Sequence, residues 1–262
     1  MLPFLLLGIR DDDAAADNEY DAFLAFTGLP ESLLHRVRLE RRSLGHVDLD
    51  AYSGIVLGGG PFNASDPESA KSPVQRRVEA ELRLLLDEVV ARDAPFLGAC
   101  YGIGTLGTHQ GATVDRTYSE PIGQVPVTLT PEGRADPLLA DLPGTFEAFV
   151  GHKEAIHELP PHAVRLASSP GCPVQAFRVG RNVYATQFHP ELDVEGLCTR
   201  IEVYKHSGYF EPHEAETLKE MARNSHVLEP PKICVRFVRR YARAEADGRP
   251  SNHHAVRGGP TR

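Results

Sequence analysis

The sequence predicts an α/β fold in which a mostly parallel central sheet lies between layers of helices. Short apolar runs alternate with segments of helical periodicity through the first half of the chain, and this alternation favours right-handed crossovers between parallel strands. The 262 residues can bury a full core as one large domain, although two smaller ones are compatible with this length. A content of 41% hydrophobic and 24% charged residues is ordinary for a globular protein.

The first half of the chain supplies the predicted parallel strands and their helices. The apolar run at 5–9 predicts a strand buried on both faces, and 18–29 has helical spacing. The run at 54–57 predicts another buried strand, followed by a long helix over 73–92 whose proline lies in the first turn. A further short strand is predicted at 96–97.

The second half has a different pattern. Four segments alternate in the manner of antiparallel or edge strands, at 125–129, 145–149, 164–167 and 174–179. A strand at 183–188 follows, and the chain is helical from 194 onward. We therefore expect one domain over 1–240, with a core to about 200 and a helical extension over 201–240. The tail at 241–262 has little apolar content and is expected to be disordered.

Composition excludes several classes of function. The formal net charge of −8 argues against a nucleic-acid partner held through broad phosphate contacts. The four cysteines are scattered without a C-x-x-C pair, which predicts a reducing compartment and no disulfide framework. The apolar N-terminus lacks basic residues and precedes an acidic cluster at 11–17, expected to be a solvated loop. We expect a cytoplasmic protein with no membrane partner.

The turn around Cys100 carries the strongest chemical signal. A short apolar strand runs into Gly98-Ala-Cys100-Tyr-Gly102, and the two glycines remove the Cβ clashes that would forbid so tight a turn into a helix. The thiol would then lie at a helix N-terminus, where unpaired amides and the helix dipole favour a thiolate. Cys100 is therefore a candidate nucleophile, whereas none of the other three cysteines lies at such a turn.

A histidine and a carboxylate follow the strand at 183–188. His189 and Glu191 are separated by one residue, so both side chains can point to the same side. A carboxylate bonded to one imidazole nitrogen fixes the tautomer and leaves the other nitrogen for the sulfur. Because sites in open α/β sheets collect at the carboxyl ends of strands, we expect His189 to share an edge of the sheet with Cys100.

The glycines at 58–60 are candidates for oxyanion stabilisation. They follow a buried strand and can present backbone N–H groups to a cleft, with the amide of Tyr101 as the second donor. They do not form a phosphate loop, because no Gly-Lys-Ser/Thr follows them.

Together, the glycine-rich turn, the Gly-x-Cys-x-Gly elbow and the late His-Pro-Glu resemble class I glutamine amidotransferase domains. The resemblance covers about residues 1–200 and is closest to stand-alone proteins similar to the amidotransferase half of GMP synthase. It implies a flavodoxin-like three-layer sandwich. It also implies Cys100 as nucleophile, His189 as base, Glu191 as its partner, and Gly60 and Tyr101 as oxyanion donors.

One position departs from the family pattern. Four residues after the cysteine the family commonly has a glutamine that helps to hold the substrate, and this chain has Gly104. This departure favours hydrolysis of a different γ-glutamyl amide. Gly59, Gly104 and His152 are the candidate substrate-binding residues. The segment at 120–129 resembles a further family motif, as does the loop around His152.

The predicted reaction is hydrolysis of the glutamine side-chain amide through a γ-glutamyl thioester, which releases glutamate and ammonia. It requires no metal or organic cofactor. The chain has no matching phosphate loop or room for an ATP-pyrophosphatase domain, so an amidotransferase role requires a separate synthetase subunit. Two alternatives are a γ-glutamyl peptidase or hydrolase, and a catalytically inactive regulatory subunit with the same fold.

Overall fold

A computed structural model describes residues 1–244 of the chain as an α/β fold. The strands are β1 Phe4–Gly8, β2 Leu34–Arg38, β3 Gly54–Leu57, β4 Phe96–Ala99, β5 Thr113–Asp115, β6 Glu120–Leu129, β7 Thr145–His152, β8 Ala155–Glu158, β9 Val164–Ser168, β10 Ala176–Val179 and β11 Val183–Thr186. The helices are α1 Asp13–Thr27, α2 Pro73–Ala91, α3 Tyr101–His109, α4 Pro131–Ala135, α5 Val194–Val203, α6 Ala215–Arg223 and α7 Pro231–Tyr241.

The main sheet has two halves of different strand direction. Within the described residues its nine strands run in the order β2-β1-β3-β4-β11-β10-β9-β6-β7. The pairs from β2 to β11 are parallel, and those from β11 to β7 are antiparallel. Strands β5 and β8 form a separate antiparallel pair. The predicted α/β class is confirmed, and the antiparallel pattern in the second half of the sequence corresponds to its own side of the sheet.

Helices cover both faces of the parallel half. Because successive side chains of a strand point to opposite faces, β1 contributes to two separate cores. Leu5 and Leu7 pack in one core with residues of α2 such as Leu82, whereas Phe4 packs in the other with Phe23 of α1. This arrangement is a three-layer sandwich.

The first helix begins earlier than its periodicity predicted. The Asp12 side chain accepts a hydrogen bond from the Ala15 amide at 3.0 Å and caps the N-terminus of α1. Asp13 forms ion pairs with Arg38 and Arg41. The expected solvated acidic loop is therefore wrong for most of 11–17, since its aspartates cap and begin a helix.

The C-terminal helices pack against the domain in two places. Leu197 of α5 belongs to a small core with Ala215 and Ala222 of α6. Helix α7 covers the sheet beside α1, and the ring of Phe237 lies 6.1 Å from that of Phe4. The predicted tail at 241–262 lies outside the described residues from 245 onward. No helix in the described part of the chain is long and apolar enough to cross a bilayer.

Candidate active site

Cys100 occupies a sharp turn between β4 and α3. Its φ of 52° lies in a region that residues with a side chain rarely adopt. A Cβ added to Gly98 would lie 2.8 Å from the backbone of Gly102, and one added to Gly102 would lie 3.0 Å from the Leu57 carbonyl oxygen. Both glycines are therefore required by close backbone approach, and they allow the turn to lift the Cys100 side chain.

His189 reaches the same edge of the sheet because β11 is the parallel neighbour of β4. Thr186 pairs with Ala99, and the Cys100 amide donates to the Thr186 carbonyl at 2.9 Å. Cys100 and His189 both line one cavity of about 50 Å³. A Cβ added to Gly59 would lie 3.1 Å from Cys100 Cβ and 2.6 Å from His189 Cε1. The two side chains thus flank a single point on the glycine-rich turn.

Glu191 and Arg200 contact the imidazole of His189 at Nδ1 and leave Nε2 uncontacted by either residue. Glu191 is fully buried, and its Oε1 lies 2.8 Å from His189 Nδ1 and 2.8 Å from Arg200 Nη2. Arg200 Nη1 also lies 3.0 Å from Nδ1, but Nδ1 cannot both donate to the carboxylate and accept from the guanidinium. The ionised carboxylate favours the N–H on Nδ1, which leaves Nε2 as a free acceptor.

The pKa values of Cys100 and His189 are both shifted towards the neutral forms. Burial raises the pKa of the Cys100 thiol to about 12, although Arg10 opposes this shift. Burial lowers the pKa of His189 to about 4 against the pull of Glu191. Burial would raise the pKa of Glu191, but His189 and Arg200 outweigh it and hold that pKa well below its ordinary value. Burial thus opposes the thiolate expected at the helix N-terminus, and the ionisation of Cys100 in the resting site stays a prediction.

The predicted oxyanion donors border the same cavity. Gly60 lines it together with Cys100. Tyr101 is the first residue of α3, so helix geometry leaves its amide without an intrahelical acceptor. Gly59 lies between the strand end and Gly60, and its close approach to Cys100 and His189 leaves no room for a side chain. These positions are compatible with an oxyanion hole, and their role stays a prediction.

Gly104 accommodates a carboxylate from a different segment of the chain. A Cβ at Gly104 would lie 2.7 Å from Glu154 Oε1. The two carboxylate oxygens of Glu154 accept hydrogen bonds from the amides of Ala64 at 2.8 Å and Ser65 at 2.7 Å. Glu154 therefore fixes the loop that follows Gly60, and it occupies the space beside α3 that a larger residue at position 104 would need.

His152 is buried and does not line the cavity around Cys100. Its Nδ1 lies 2.9 Å from the Glu154 carbonyl oxygen and its Nε2 lies 2.9 Å from Glu120 Oε2. Glu120, His152 and Cys172 each offer one atom that can ligate a metal ion, and these three atoms lie within 4.8 Å of one another. Gln175 also donates to Glu120, at 2.6 Å, so hydrogen bonds account for this cluster. Contact of His152 with substrate stays a prediction.

A buried ionic cluster lies beside the site, and no sequence pattern predicted it. Arg10 Nε lies 3.0 Å from Glu19 Oε1, and Arg200 Nη2 lies 3.7 Å from the same oxygen. Arg10 and Arg200 both line the cavity, together with Tyr204 and Tyr209. The one signal that could have found Arg10 is its place directly after the first buried strand, at the edge of the sheet where sites collect.

A sequence model of the family described as glutamine amidotransferase class-I matches residues 33–197. The chain is 28% identical over 145 residues to the glutamine-hydrolyzing GMP synthase of Hamiltonella defensa, covering 53% of this chain and 25% of that protein. It is 29% identical over 147 residues to a glutamine-hydrolyzing GMP synthase subunit from Thermoplasma acidophilum, covering 56% of this chain and 66% of that subunit. This chain thus spans about a quarter of the full-length synthases that it matches.

Solved structures show the same fold. A glutamine amidotransferase from Thermotoga maritima superposes with a TM-score of 0.68 at 21% identity, covering 91% of this chain and 99% of that one. A glutamine amidotransferase from Methylobacillus flagellatus also gives a TM-score of 0.68, at 18% identity over 95% of this chain and 99% of that one.

Proposed function

Because this chain belongs to the class I glutamine amidotransferase family, we propose that it hydrolyses the side-chain amide of glutamine through a thioester on Cys100. The observation that carries the proposal is that Cys100 and His189, 89 residues apart in the sequence, both line one cavity and both lie close to Gly59. The Glu191 carboxylate is hydrogen-bonded to Nδ1 of the His189 imidazole. A nucleophile, its base and the group that orients the base are thus available together.

The reaction begins with both partners neutral. Cys100 Sγ attacks the γ-carbonyl carbon while His189 Nε2 takes the thiol proton, and the carbonyl oxygen becomes an oxyanion between the amides of Gly60 and Tyr101. Each such donor typically contributes about 3 kcal/mol to the stability of the transition state. Glu191 accepts the Nδ1 hydrogen bond throughout and stabilises the imidazolium.

Collapse of this intermediate breaks the carbon–nitrogen bond, and ammonia leaves with the proton from His189 Nε2. A water molecule then gives a proton to Nε2 and attacks the γ-glutamyl thioester. The second intermediate expels the sulfur, which recovers its proton from His189, and glutamate is released. The net change is the hydrolysis of one amide by one water, with the enzyme restored.

A glutamine-mimicking electrophile tests the nucleophile directly. We expect 6-diazo-5-oxo-L-norleucine to add to Cys100 of the folded protein, as located by mass spectrometry, and to abolish ammonia release from glutamine. Cys100→Ala should lose both labelling and activity. Cys198→Ala, which removes another partly exposed thiol, should retain both. An unlabelled Cys100 in a folded protein that releases no ammonia would support the inactive regulatory subunit instead.

A second candidate is a hydrolase of other γ-glutamyl amides, and Gly104 favours it. In place of a long amide side chain, this position has a glycine against the Glu154 carboxylate. Rates of glutamate release from glutamine and from γ-glutamyl dipeptides separate the two candidates. Turnover of dipeptides without turnover of glutamine would reject the first.

We further propose that residues 1–240 act as one amidotransferase domain that supplies ammonia to a separate synthetase subunit. The relative from Thermoplasma acidophilum, which is itself named a subunit, supports this arrangement. The four cysteines are unpaired, which supports a location in the reducing cytoplasm. Co-purification from native cells would identify the synthetase; recovery of the chain without one would favour the free hydrolase.

A further inference from the structure

Arg10 has one amino group without a hydrogen-bond partner among residues 1–244. The residue lies just beyond β1 and is 4% exposed. Its Nε donates to Glu19 at 3.0 Å and its Nη1 to the Tyr204 hydroxyl at 3.1 Å. Its Nη2 takes part in no hydrogen bond within residues 1–244. An arginine carries five N–H donors, and Arg10 lines the cavity, so its Nη2 is left to donate to a ligand bound there.

The free amino group lies beside the reacting residues. A Cβ at Gly59 would lie 3.1 Å from Arg10 Nη2, so this nitrogen flanks the same point as Cys100 Cβ and His189 Cε1. Arg10 also lines the cavity that contains the Cys100 side chain. A ligand whose carbonyl carbon meets the sulfur therefore has Arg10 within the reach of a short aliphatic chain.

The ionic cluster beside the site contains two arginines and two glutamates, but only the arginines line the cavity. Arg10 and Arg200 line the cavity, whereas their partners Glu19 and Glu191 do not and are almost completely buried. Arg200 Nε is buried without a hydrogen-bond partner in the described part of the chain. Two arginines thus line the ligand space and their two carboxylate partners do not, an arrangement that favours an anionic ligand.

We propose that Arg10 Nη2 binds a carboxylate of the substrate, so that the site selects γ-glutamyl compounds by charge. The proposal rests on the proposed function, because Cys100 must be the atom that meets the γ-carbonyl carbon. Two substrate carboxylates have this chemistry. One is the α-carboxylate of the γ-glutamyl group, and the other belongs to the amino acid released from a γ-glutamyl peptide.

Two pairs of substrates separate these sources. L-Glutamine and 4-aminobutanamide differ in the α-carboxylate, whereas γ-glutamylglycine and γ-glutamylmethylamide differ in the carboxylate of the leaving amine. For the pair that uses Arg10, we expect kcat/KM of the native protein to be about 10- to 100-fold higher with the carboxylate than without it. In Arg10→Met that ratio should fall towards one.

The variants are chosen to separate recognition from folding. Arg10→Met leaves Glu19 without its main partner, so the double variant Arg10→Met/Glu19→Gln removes both charges and should give the same ratio. Arg36→Met is the matched control, because Arg36 lies on the edge strand β2 and pairs with Asp17; it should retain the native ratio. The proposal would be overturned if the double variant and the native protein gave the same kcat/KM ratio for both substrate pairs.

A binding measurement distinguishes failure of this proposal from failure of the proposed function. In Cys100→Ala, calorimetry with L-glutamine and with γ-glutamylglycine should show binding that weakens at least tenfold for one of them when Arg10→Met/Glu19→Gln is added. Carboxylate recognition by Arg10 would be overturned if Cys100→Ala bound both compounds equally well with and without Arg10→Met/Glu19→Gln. It would also be overturned if neither protein bound either compound. Loss of Cys100 labelling with the carboxylate-dependent binding intact would instead overturn only the thioester chemistry.

Discussion

Arg200 Nη2 and Glu191 Oε1 lie 2.8 Å apart, and both residues are buried. The same carboxylate oxygen is the partner of His189 Nδ1. The guanidinium comes from α5 and the carboxylate from the segment after β11, so the docking of one helix against the sheet completes the support of the imidazole. Because both charges are removed from water, the loss of either one leaves the other without its closest charged partner.

Removal of Arg200 should therefore be strongly destabilising. Arg200→Met leaves the Glu191 carboxylate buried without its guanidinium, and we expect the free energy of unfolding to fall by about 3–5 kcal/mol. Urea denaturation followed by circular dichroism measures this loss. Arg116→Met, which removes an exposed guanidinium paired with Asp66, should have a much smaller effect. Equal losses in the two variants would show that the buried pair has no special role.

Removal of the Glu191 charge should impair catalysis more than binding. Glu191→Gln keeps the shape of the side chain but no longer holds the Nδ1–H tautomer or stabilises the imidazolium. We expect kcat for glutamine to fall by about 100-fold or more, with KM little changed. Glu195→Gln in the first turn of α5 is the matched control. A near-native kcat in Glu191→Gln would contradict the assigned role.

The lowered pKa of His189 predicts a loss of stability in weak acid. The folded protein holds this pKa at about 4, against an ordinary value of 6.5. Between these values the unfolded chain binds a proton that the folded chain does not, so the free energy of unfolding falls as the pH decreases through this range. The contribution of His189 is of the order of 3 kcal/mol. His189→Asn should show a shallower dependence between pH 6.5 and 4; identical slopes would exclude this source.

The raised pKa of Cys100 predicts slow alkylation of the resting protein. With a pKa of about 12, only a trace of thiolate is present near neutrality. The rate of iodoacetamide modification at Cys100 should still be rising where a free cysteine, with a pKa of about 8.5, has reached its plateau. Peptide mapping at each pH, with N-acetylcysteine as the reference, measures this rate. A plateau at neutral pH would instead indicate a resting thiolate–imidazolium pair.

The contact between Gly104 and Glu154 predicts that Gly104→Ala lowers the stability of the native protein but not that of a variant without the Glu154 carboxylate. Alanine normally stabilises a helix interior by about 1 kcal/mol relative to glycine, but in Gly104→Ala the new Cβ would press on Glu154 Oε1. We expect this variant to be destabilised by about 1–3 kcal/mol. In a Glu154→Ala background the same change should be neutral or stabilising. Thermal unfolding of the four proteins measures the coupling, and additive effects would rule it out.

Much of the fold and the central part of the site follow from local patterns in the sequence. The long helix predicted at 73–92 is α2, because Ser72 caps the Gln75 amide at 3.0 Å and Pro73 fits the first turn. The turn at Cys100 follows from its two flanking glycines. The placement of His189 beside it follows from a rule about the carboxyl ends of parallel strands. Each of these inferences uses residues that are close in the sequence.

The ionic cluster and the contact at Gly104 depend on which elements pack together. Arg10 meets Glu19 because α1 folds back over the end of β1, and Arg200 reaches both carboxylates only after α5 docks there. Glu154 contacts Gly104 across an interval of 50 residues. No local pattern encodes these contacts, since the side chains are charged and would be assigned to the surface on composition alone.

The sequence by itself thus determined the alternation of strands and helices, the elbow at Cys100 and the position of His189 at the same edge of the sheet. The tertiary structure alone decided the direction in which the pKa values of Cys100 and His189 shift, because burial is a property of the assembled layers. It also decided which cations line the cavity, because only packing brings these groups together.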